Sequence, residues 1–167
     1  LGTSVLAWTR GLFGSPVDKQ ISHLRETVAA VRHIVAGSHC GLAPFEGEFF
    51  RADFRELQPT APPVRPAIPI WIAALRSKMV ALAAEVGDGL IGHPMWSIQW
   101  TLQQMRPQFE AALARAGRNR DDVEVNLWYW AAPGPDEREA INDARPTMAF
   151  YGGIAQYEPF FVAHGFG

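Results

Sequence analysis

The feature that most constrains the fold is an alternation of short apolar segments and helical patterns in the middle of the chain. Residues 68–74, 88–93 and 123–130 are short and apolar, with β-branched and aromatic residues, which predicts buried strands. Between them, residues 78–86 and 97–116 carry apolar side chains at helical spacing. Strands that alternate with helices through short connections predict a parallel sheet with right-handed crossovers, and therefore an α/β fold.

Capping residues place the starts of the helices in this alternation. Ser77 and Ser97 each stand just before a helical pattern, and Asp136 precedes a third, from Glu137 to about Tyr151. The side chains of Ser and Asp accept hydrogen bonds from the free N–H groups of a first helical turn. We therefore expect these three residues to be N-caps.

Glycine and proline place the ends and breaks of the same helices. Gly87 and Gly117 follow the first two helical patterns and predict their ends. Pro107 and Pro146 fall inside helical patterns, where proline removes a backbone donor and crowds the preceding turn. We expect a kink or a late start at Pro107 and a break at Pro146.

The beginning of the chain predicts a loop followed by a helix. Residues 1–14 are rich in Gly, Thr and Ser, and we expect a loop that follows a strand lying before them. Ser15 and Pro16 form a cap and first-turn pair. The helix they start is predicted to end at Gly37. Its apolar residues recur at spacings of three and four: Ile21, Leu24, Val28, Val31 and Val35.

The next segment predicts a hairpin and then a stiff connection. Residues 45–57 have the aromatic content that is typical of a short hairpin, and Gly47 is expected in its turn. Five prolines follow within residues 59–69, which excludes a helix there and favours extended backbone. These prolines are Pro59, Pro62, Pro63, Pro66 and Pro69.

Composition excludes several classes of protein. Apolar residues make up 48% of the 167 residues and charged residues 19%, which excludes a disordered tail and a coiled coil. A net charge of -2 argues against a nucleic-acid partner. The apolar runs are shorter than the roughly 18 residues that a membrane span needs. With Cys40 alone we expect no disulfide framework, and with no secretory signal visible we expect a cytoplasmic protein.

Residues 73–78 are the strongest candidate binding segment. Ligands of parallel α/β folds meet the carboxyl ends of the strands and the helix starts that follow them. The start of a helix attracts phosphate, and Arg76 and Lys78 add cationic donors beside it. Small Ala73 and Ala74, followed by Leu75, let a ligand approach the backbone. The alternative is that both charges belong to a solvated helix start.

Two further strand ends carry candidate side chains. His93 follows the second strand, where a histidine is either an acid, base or hydrogen-bond donor to substrate, or a structural corner residue. Trp96 follows His93 closely. On the third strand Trp128 and Trp130 share one face, so they form either an aromatic wall for a flat ring or ordinary core filling.

Several common site motifs are absent from the sequence. Neither GxGxxG nor GxxxxGK[ST] occurs, and no GxSxG elbow is present. His23, His33 and His39 do not have metal-ligand spacing, and we expect no metal site.

Several motifs follow one another along the chain: Gly2-Thr3-Ser4, residues 23–26, residues 45–50, residues 68–76 and residues 83–91. In this order, from about Leu1 to Gly165, they resemble the bacterial luciferase-like monooxygenase family. The most specific part is residues 68–76 followed by 83–91, which resemble a barrel strand, its helix and the next strand.

The resemblance implies a (β/α)8 barrel that binds FMN or the deazaflavin coenzyme F420. It implies that Ala73 to Lys78 hold the cofactor phosphate and that Gly2 and Thr3 line the same cavity. Gly92-His93-Pro94 and Arg76 resemble the F420-dependent branch, so F420 is expected and FMN is the alternative. Arg76 stands where the family usually has Gly.

The length of the chain limits how much of such a barrel it can form. A (β/α)8 barrel takes roughly 250 residues. We therefore expect residues 1–167 to be one luciferase-like domain fragment, incomplete at both ends. It would supply strands about five to seven of a partial TIM barrel, with their helices.

The expected function is F420-dependent hydride transfer to or from a small organic substrate, with His93 as the candidate proton donor or acceptor. Trp96, Trp128 and Trp130 are the expected substrate-pocket residues. One alternative is an FMN-dependent monooxygenase of the same family. Another is a catalytically silent α/β fragment that acts by self-association or partner binding, and a homo-oligomer is expected.

Overall fold

The structure is a computed structural model that describes residues 1–4, 6–14, 18–65 and 67–166. Its helices and strands in chain order are α1 (Leu6–Gly11), α2 (Gln20–Gly37), β1 (Phe45–Glu46), β2 (Arg51–Ala52), β3 (Trp71–Ala73), α3 (Ser77–Val86), β4 (Gly89–Ile91), α4 (Ile98–Trp100), α5 (Arg106–Arg115), β5 (Glu124–Asn126), α6 (Glu137–Gly152) and α7 (Glu158–Ala163). A π-helical turn spans Thr101–Met105, and 3₁₀ turns span Arg120–Asp122 and Ala155–Tyr157.

Strands β3, β4 and β5 form a parallel sheet in that order, which confirms the predicted α/β alternation. Ile72 pairs with Leu90, and Leu90 pairs with Val125. The sheet ladder is shorter than the apolar segments predicted, and β5 ends at Asn126 rather than at Trp130. At the other edge, the backbone of Leu1 donates to the carbonyl of Trp71 at 2.6 Å and accepts from the N–H of Ala73 at 2.8 Å, the pattern of a parallel bridge.

The core lies between this sheet and the helices that cross it. Ile72 and Leu90 are fully buried in the sheet, and Val80 and Leu82 are their buried counterparts on α3. Helix α3 packs against β3, β4, α2 and α5, so it is the centre of the helical layer. Each fully buried aliphatic side chain of this kind contributes about 1.5–3 kcal/mol relative to an exposed one.

Two of the three predicted caps are confirmed, and one is wrong. Ser97 Oγ accepts from the N–H of Trp100 at 3.0 Å, and Asp136 Oδ1 accepts from the N–H of Glu139 at 2.9 Å. Ser77 is instead the first residue of α3, and extended Arg76 precedes it without a side-chain cap. A side chain already inside the helix cannot reach the N–H groups that a cap serves.

The two internal prolines have different outcomes. Pro107 lies in the first turn of α5, immediately after the π-helical turn, so the predicted irregularity is present. The break predicted at Pro146 is wrong, because α6 continues through it. No described residue of α6 is buried, so water can solvate the carbonyl of Asn142 that Pro146 leaves without a donor.

The first third of the chain follows the predictions with one correction. Residues 1–14 are not all loop, because they contain α1. Helix α2 ends at Gly37 as predicted, whereas Ser15, Pro16 and Pro66 lie outside the described residues. Strands β1 and β2 form the predicted antiparallel hairpin.

A single carboxylate on α2 holds the turn of that hairpin. Glu26 accepts from the backbone N–H groups of Glu48, Phe49 and Phe50 at 2.9, 2.8 and 2.6 Å. A Cβ at Gly47 would lie 2.1 Å from Glu26 Oε1, so only glycine permits this approach. Burial, the largest single influence, would raise the pKa of Glu26, but the three N–H donors and nearby His23 together lower it below its ordinary value.

Arg118 joins the segments at the amino-terminal edge of the sheet. Its Nη1 donates to the carbonyls of Ala84 at 2.9 Å and Gly87 at 2.7 Å, and its Nη2 donates to the carbonyl of Asp122 at 3.0 Å. One guanidinium thus satisfies carbonyls from the end of α3, the following turn and the 3₁₀ turn before β5.

We predict that Arg118→Ala lowers the free energy of unfolding by about 2 kcal/mol, since hydrogen bonds to charged groups contribute roughly 1.5–3 kcal/mol. Urea unfolding followed by circular dichroism measures the change. Arg115→Ala is the matched control, because Arg115 is exposed at the end of α5. An equal effect of both substitutions would contradict the role of Arg118.

We predict that Glu26→Gln destabilises the chain by an amount that depends on pH. The folded-state pKa is lowered, so the contribution of Glu26 is complete above its ordinary value of 4.5 and is lost as pH falls through the folded value. Urea unfolding at a series of pH values, with exposed Glu56→Gln as control, measures this. A difference between Glu26→Gln and the parent that stays constant with pH would refute the prediction.

Candidate functional site

A cavity of about 1140 Å³ opens at the carboxyl ends of β3 and β4. Its walls include residues 2–4, residues 19–25 at the start of α2, residues 73–79, residues 91–93 and Gln156 with Tyr157. Because β3 and β4 run parallel, their carboxyl ends meet at one edge of the sheet. The cavity therefore lies where ligands bind in parallel α/β folds.

The structure brings together every residue that the sequence assigns to cofactor binding or catalysis. They lie in three separate parts of the chain and all line this one cavity: Gly2, Thr3, Ala73, Ala74, Leu75, Arg76, Lys78 and His93.

The three tryptophans assigned to the substrate pocket lie outside this lining. Trp128 and Trp130 follow the end of β5 and are 57% and 40% exposed. Trp96 is 3% exposed, and its indole N–H donates to the carbonyl of Leu75 at 2.9 Å. A Cβ at Gly92 would lie 2.8 Å from the Trp96 ring, so this ring fills space behind the loop as a core residue.

The loop from β3 to α3 presents main-chain donors to the cavity. Arg76 is extended, and α3 starts at Ser77 without a side-chain cap. Within the described residues, neither the N–H of Ser77 nor that of Lys78 has an acceptor. The first N–H groups of a helix carry partial positive charge, so this end attracts an anion.

Four cationic side chains line the cavity, and two of them form ion pairs with carboxylates. Lys19 forms an ion pair with Glu48, and Arg25 forms one with Glu85. Arg76 instead donates to the carbonyl of Gln156. Within the described part of the chain Arg76 and Lys78 have no carboxylate partner, so their charge stays available at the start of α3.

His93 is held as a neutral imidazole in the cavity wall. Its Nδ1 accepts from the N–H of Met95 at 3.2 Å, so the proton of the neutral ring is on Nε2. The rings of Tyr151, Tyr157 and Phe160 lie at centroid distances of 5.8, 5.8 and 6.5 Å. Burial lowers the pKa of His93 from 6.5 to about 4.

Tyr157 is a cavity residue that sequence reasoning misses. It is 7% exposed, and burial together with nearby Tyr151 raises the pKa of its phenol. It lies in the 3₁₀ turn after α6, far along the chain from the strand ends. No strand or motif marks this turn, and only the packing of the C-terminal segment brings it to His93. Lys19, which precedes α2, and Arg25 of α2 also line the cavity, and no local pattern in the sequence marks them.

No helix among the described residues is long and apolar enough to cross a membrane. The described residues also contain no group of three His, Cys, Asp or Glu side chains that could hold a metal ion.

Comparisons with known proteins agree on one family. The family model described as luciferase-like monooxygenase matches residues 1–167. An uncharacterised protein of Mycobacterium tuberculosis is 33% identical over 172 residues, which are 100% of this chain and 51% of that protein. A protein of the same organism named as a coenzyme F420-dependent oxidoreductase is 30% identical over 174 residues, with 98% of this chain and 49% of that protein covered.

A solved structure shows the same fold. An F420-dependent secondary alcohol dehydrogenase, in complex with an F420-acetone adduct, superposes with a TM-score of 0.71 at 20% identity. The match covers 93% of this chain and 45% of that chain. The chain also spans about half the length of the curated relatives it matches.

We predict that the His93 imidazole is still neutral, with its proton on Nε2, at about pH 5.5, where an unperturbed histidine is mostly charged. Long-range ¹⁵N–¹H NMR correlation of the imidazole nitrogens measures both the charge and the tautomer, with His93→Gln to assign the signal. Protonation with a midpoint near the ordinary value of 6.5 would contradict it. Because the pKa is lowered, His93 should also reduce stability as pH falls from about 6.5 to 4.

Proposed function

The chain belongs to the luciferase-like monooxygenase family, as its ordered motifs predict, and on this premise we propose that it is part of a coenzyme F420-dependent oxidoreductase. The observation that supports this proposal is a pair of cations in the cavity. Arg76 and Lys78 have no carboxylate partner among the described residues and lie beside the uncapped start of α3. The relative named for F420 dependence, 30% identical across 98% of this chain, favours F420 over FMN.

We further propose that β3, β4 and β5 correspond to strands five to seven of a (β/α)8 barrel. Their parallel order and the crossover helices between them support this assignment. The hydrogen bonds of Leu1 with Trp71 and Ala73 put residue 1 beside β3, on the edge of the sheet away from β4. In this arrangement residues 1–167 are one domain, and the cavity is at the carboxyl end of the barrel.

The residues at the start of α3 fit the phosphate group of such a cofactor. The N–H groups of Ser77 and Lys78 would donate to phosphate oxygens, and the guanidinium of Arg76 and the ammonium of Lys78 would balance its charge. Small Ala73 and Ala74 leave the backbone accessible at the strand end. When bound, F420 supplies two-electron hydride chemistry at its ring, and the chain supplies binding and orientation.

The neutral imidazole of His93 is better suited to hydrogen bonding than to general acid or base catalysis. With a pKa of about 4, its imidazole holds no transferable proton beyond the one on Nε2 near neutral pH. In the proposed function His93 therefore donates the Nε2–H to a ligand atom in the cavity. Of the roles that the sequence leaves open for His93, we thus propose hydrogen-bond donor rather than proton donor or acceptor.

One observation favours self-association as a second candidate function. No described residue of α6 is buried, and Trp128, Tyr129 and Trp130 are exposed after β5. An apolar face of this kind is typical of a surface that another chain or another part of the same protein covers. Sedimentation at several concentrations distinguishes a homo-oligomer from a monomer.

We predict that the chain binds F420 saturably and that Arg76→Ala weakens binding by about 10- to 100-fold, since a charge-assisted hydrogen bond contributes roughly 1.5–3 kcal/mol. Fluorescence polarisation of F420 measures the affinity. Arg115→Ala removes the same charge outside the cavity lining and should leave the affinity unchanged.

The same titration with FMN separates the alternatives. Tighter binding of FMN than of F420 would select the FMN-dependent function. Absence of binding to either cofactor, together with concentration-dependent association in sedimentation, would refute the cofactor proposal for this chain and favour self-association.

A further inference from the structure

The buried side chain of Trp96 reaches the loop between β3 and α3 from behind. Its indole Nε1–H donates to the carbonyl of Leu75 at 2.9 Å, and the residue is 3% exposed. Leu75 lines the cavity, whereas Trp96 lies outside the lining. The hydrogen bond therefore holds the Leu75 carbonyl toward the core and away from the cavity.

The direction of this carbonyl determines where the next main-chain donor points. In a planar trans peptide the C=O of one residue and the N–H of the next point in opposite directions. With the Leu75 carbonyl turned to Trp96, the N–H of Arg76 is turned to the cavity that Arg76 lines. This N–H has no acceptor among the described residues, and the same holds for the N–H groups of Ser77 and Lys78. Three consecutive main-chain donors therefore stand free in this loop.

Packing and hydrogen bonding keep the indole of Trp96 in one position. A Cβ at Gly92 would lie 2.8 Å from the ring, so a glycine there leaves the ring its space. The ring of Trp100 lies at a centroid distance of 4.9 Å, and the backbone N–H of Trp96 donates to the carbonyl of His93 at 3.0 Å. A donor held in this way orients the loop in advance, which lowers the entropy cost of binding a ligand.

We propose that Trp96 is a positioning residue of the anion-binding loop, which turns the N–H of Arg76 toward the anionic oxygens of the ligand. Trp96 itself does not contact the ligand, because it acts through the carbonyl of Leu75. The inference rests on the proposed function, since the ligand concerned is the phosphate group of the cofactor. It adds one main-chain donor to those of Ser77 and Lys78.

The first test removes only the indole N–H and uses the full chain without ligand. The residue β-(3-benzothienyl)alanine in place of Trp96 replaces N–H by sulfur in a ring of nearly the same shape. The ¹³C shift of the Leu75 carbonyl and the ¹⁵N shift of the Arg76 amide both respond to a hydrogen bond at that carbonyl. We expect both signals to move. They should stay near the parent values when Trp100 is replaced instead, because its indole N–H donates to no described residue.

The second test measures F420 affinity by fluorescence polarisation in the same proteins. Replacement of Trp96 should weaken binding about three- to tenfold, because part of one hydrogen bond to a charged group is lost. Trp96→Phe, which also lacks the donor, should weaken binding by a similar factor. Replacement of Trp100 should leave the affinity unchanged, although it alters the same buried aromatic cluster.

A third measurement separates positioning from general packing. Inorganic phosphate is titrated into the chain and followed by ¹⁵N–¹H NMR. In the parent, the amide protons of Arg76, Ser77 and Lys78 should all shift. With benzothienylalanine at position 96, the response of Arg76 should be lost while those of Ser77 and Lys78 remain, which a merely structural role of Trp96 would not produce.

Several outcomes would overturn the role of Trp96. These are unchanged Leu75 and Arg76 signals after its replacement, F420 affinity equal to that of the parent, an equal loss on replacing Trp100, or no response of the parent Arg76 amide to phosphate. If the parent binds F420 and only the Trp96 arms fail, the proposed function stands. If the parent binds no F420, the proposed function fails and the positioning role fails with it, whatever the ligand-free signals show.

Discussion

The parallel register of three very short strands is the constraint on which the rest of the structure depends. Ile72, Leu90 and Val125 lie side by side in the sheet, so the chain leaves β3 and β4 at the same level. Each ladder segment is three residues long, and the residues that follow it are already at the ligand edge. The loops therefore carry the chemistry, while α3 and the buried strand residues hold those loops in place.

The cavity has two electrostatic regions on neighbouring strand ends. After β3, main-chain N–H groups and the charges of Arg76 and Lys78 attract an anion. After β4, the buried and aromatic surroundings of His93 keep its ring neutral. A ligand with one anionic group and one flat, uncharged part matches both regions at once, and a ligand charged at both ends matches only the first.

Local signals in the sequence predict the fold more completely than they predict the site. The strand and helix alternation, the caps at Ser97 and Asp136, and the hairpin all follow from neighbouring residues. Periodicity alone misplaced Trp128 and Trp130, because side-chain alternation continues past Asn126 while the ladder of hydrogen bonds does not. Tyr157 could not be predicted, because tertiary packing rather than any local pattern brings it to His93.

The contact between Glu26 and the hairpin turn also decides which substitutions the turn accepts. The carboxylate binds only main-chain N–H groups at positions 48, 49 and 50, so it does not discriminate among their side chains. Any residue except proline supplies the same donor there. We therefore expect homologous chains to keep a glycine at position 47 and a carboxylate at position 26 together, whichever side chains stand at the hairpin tip.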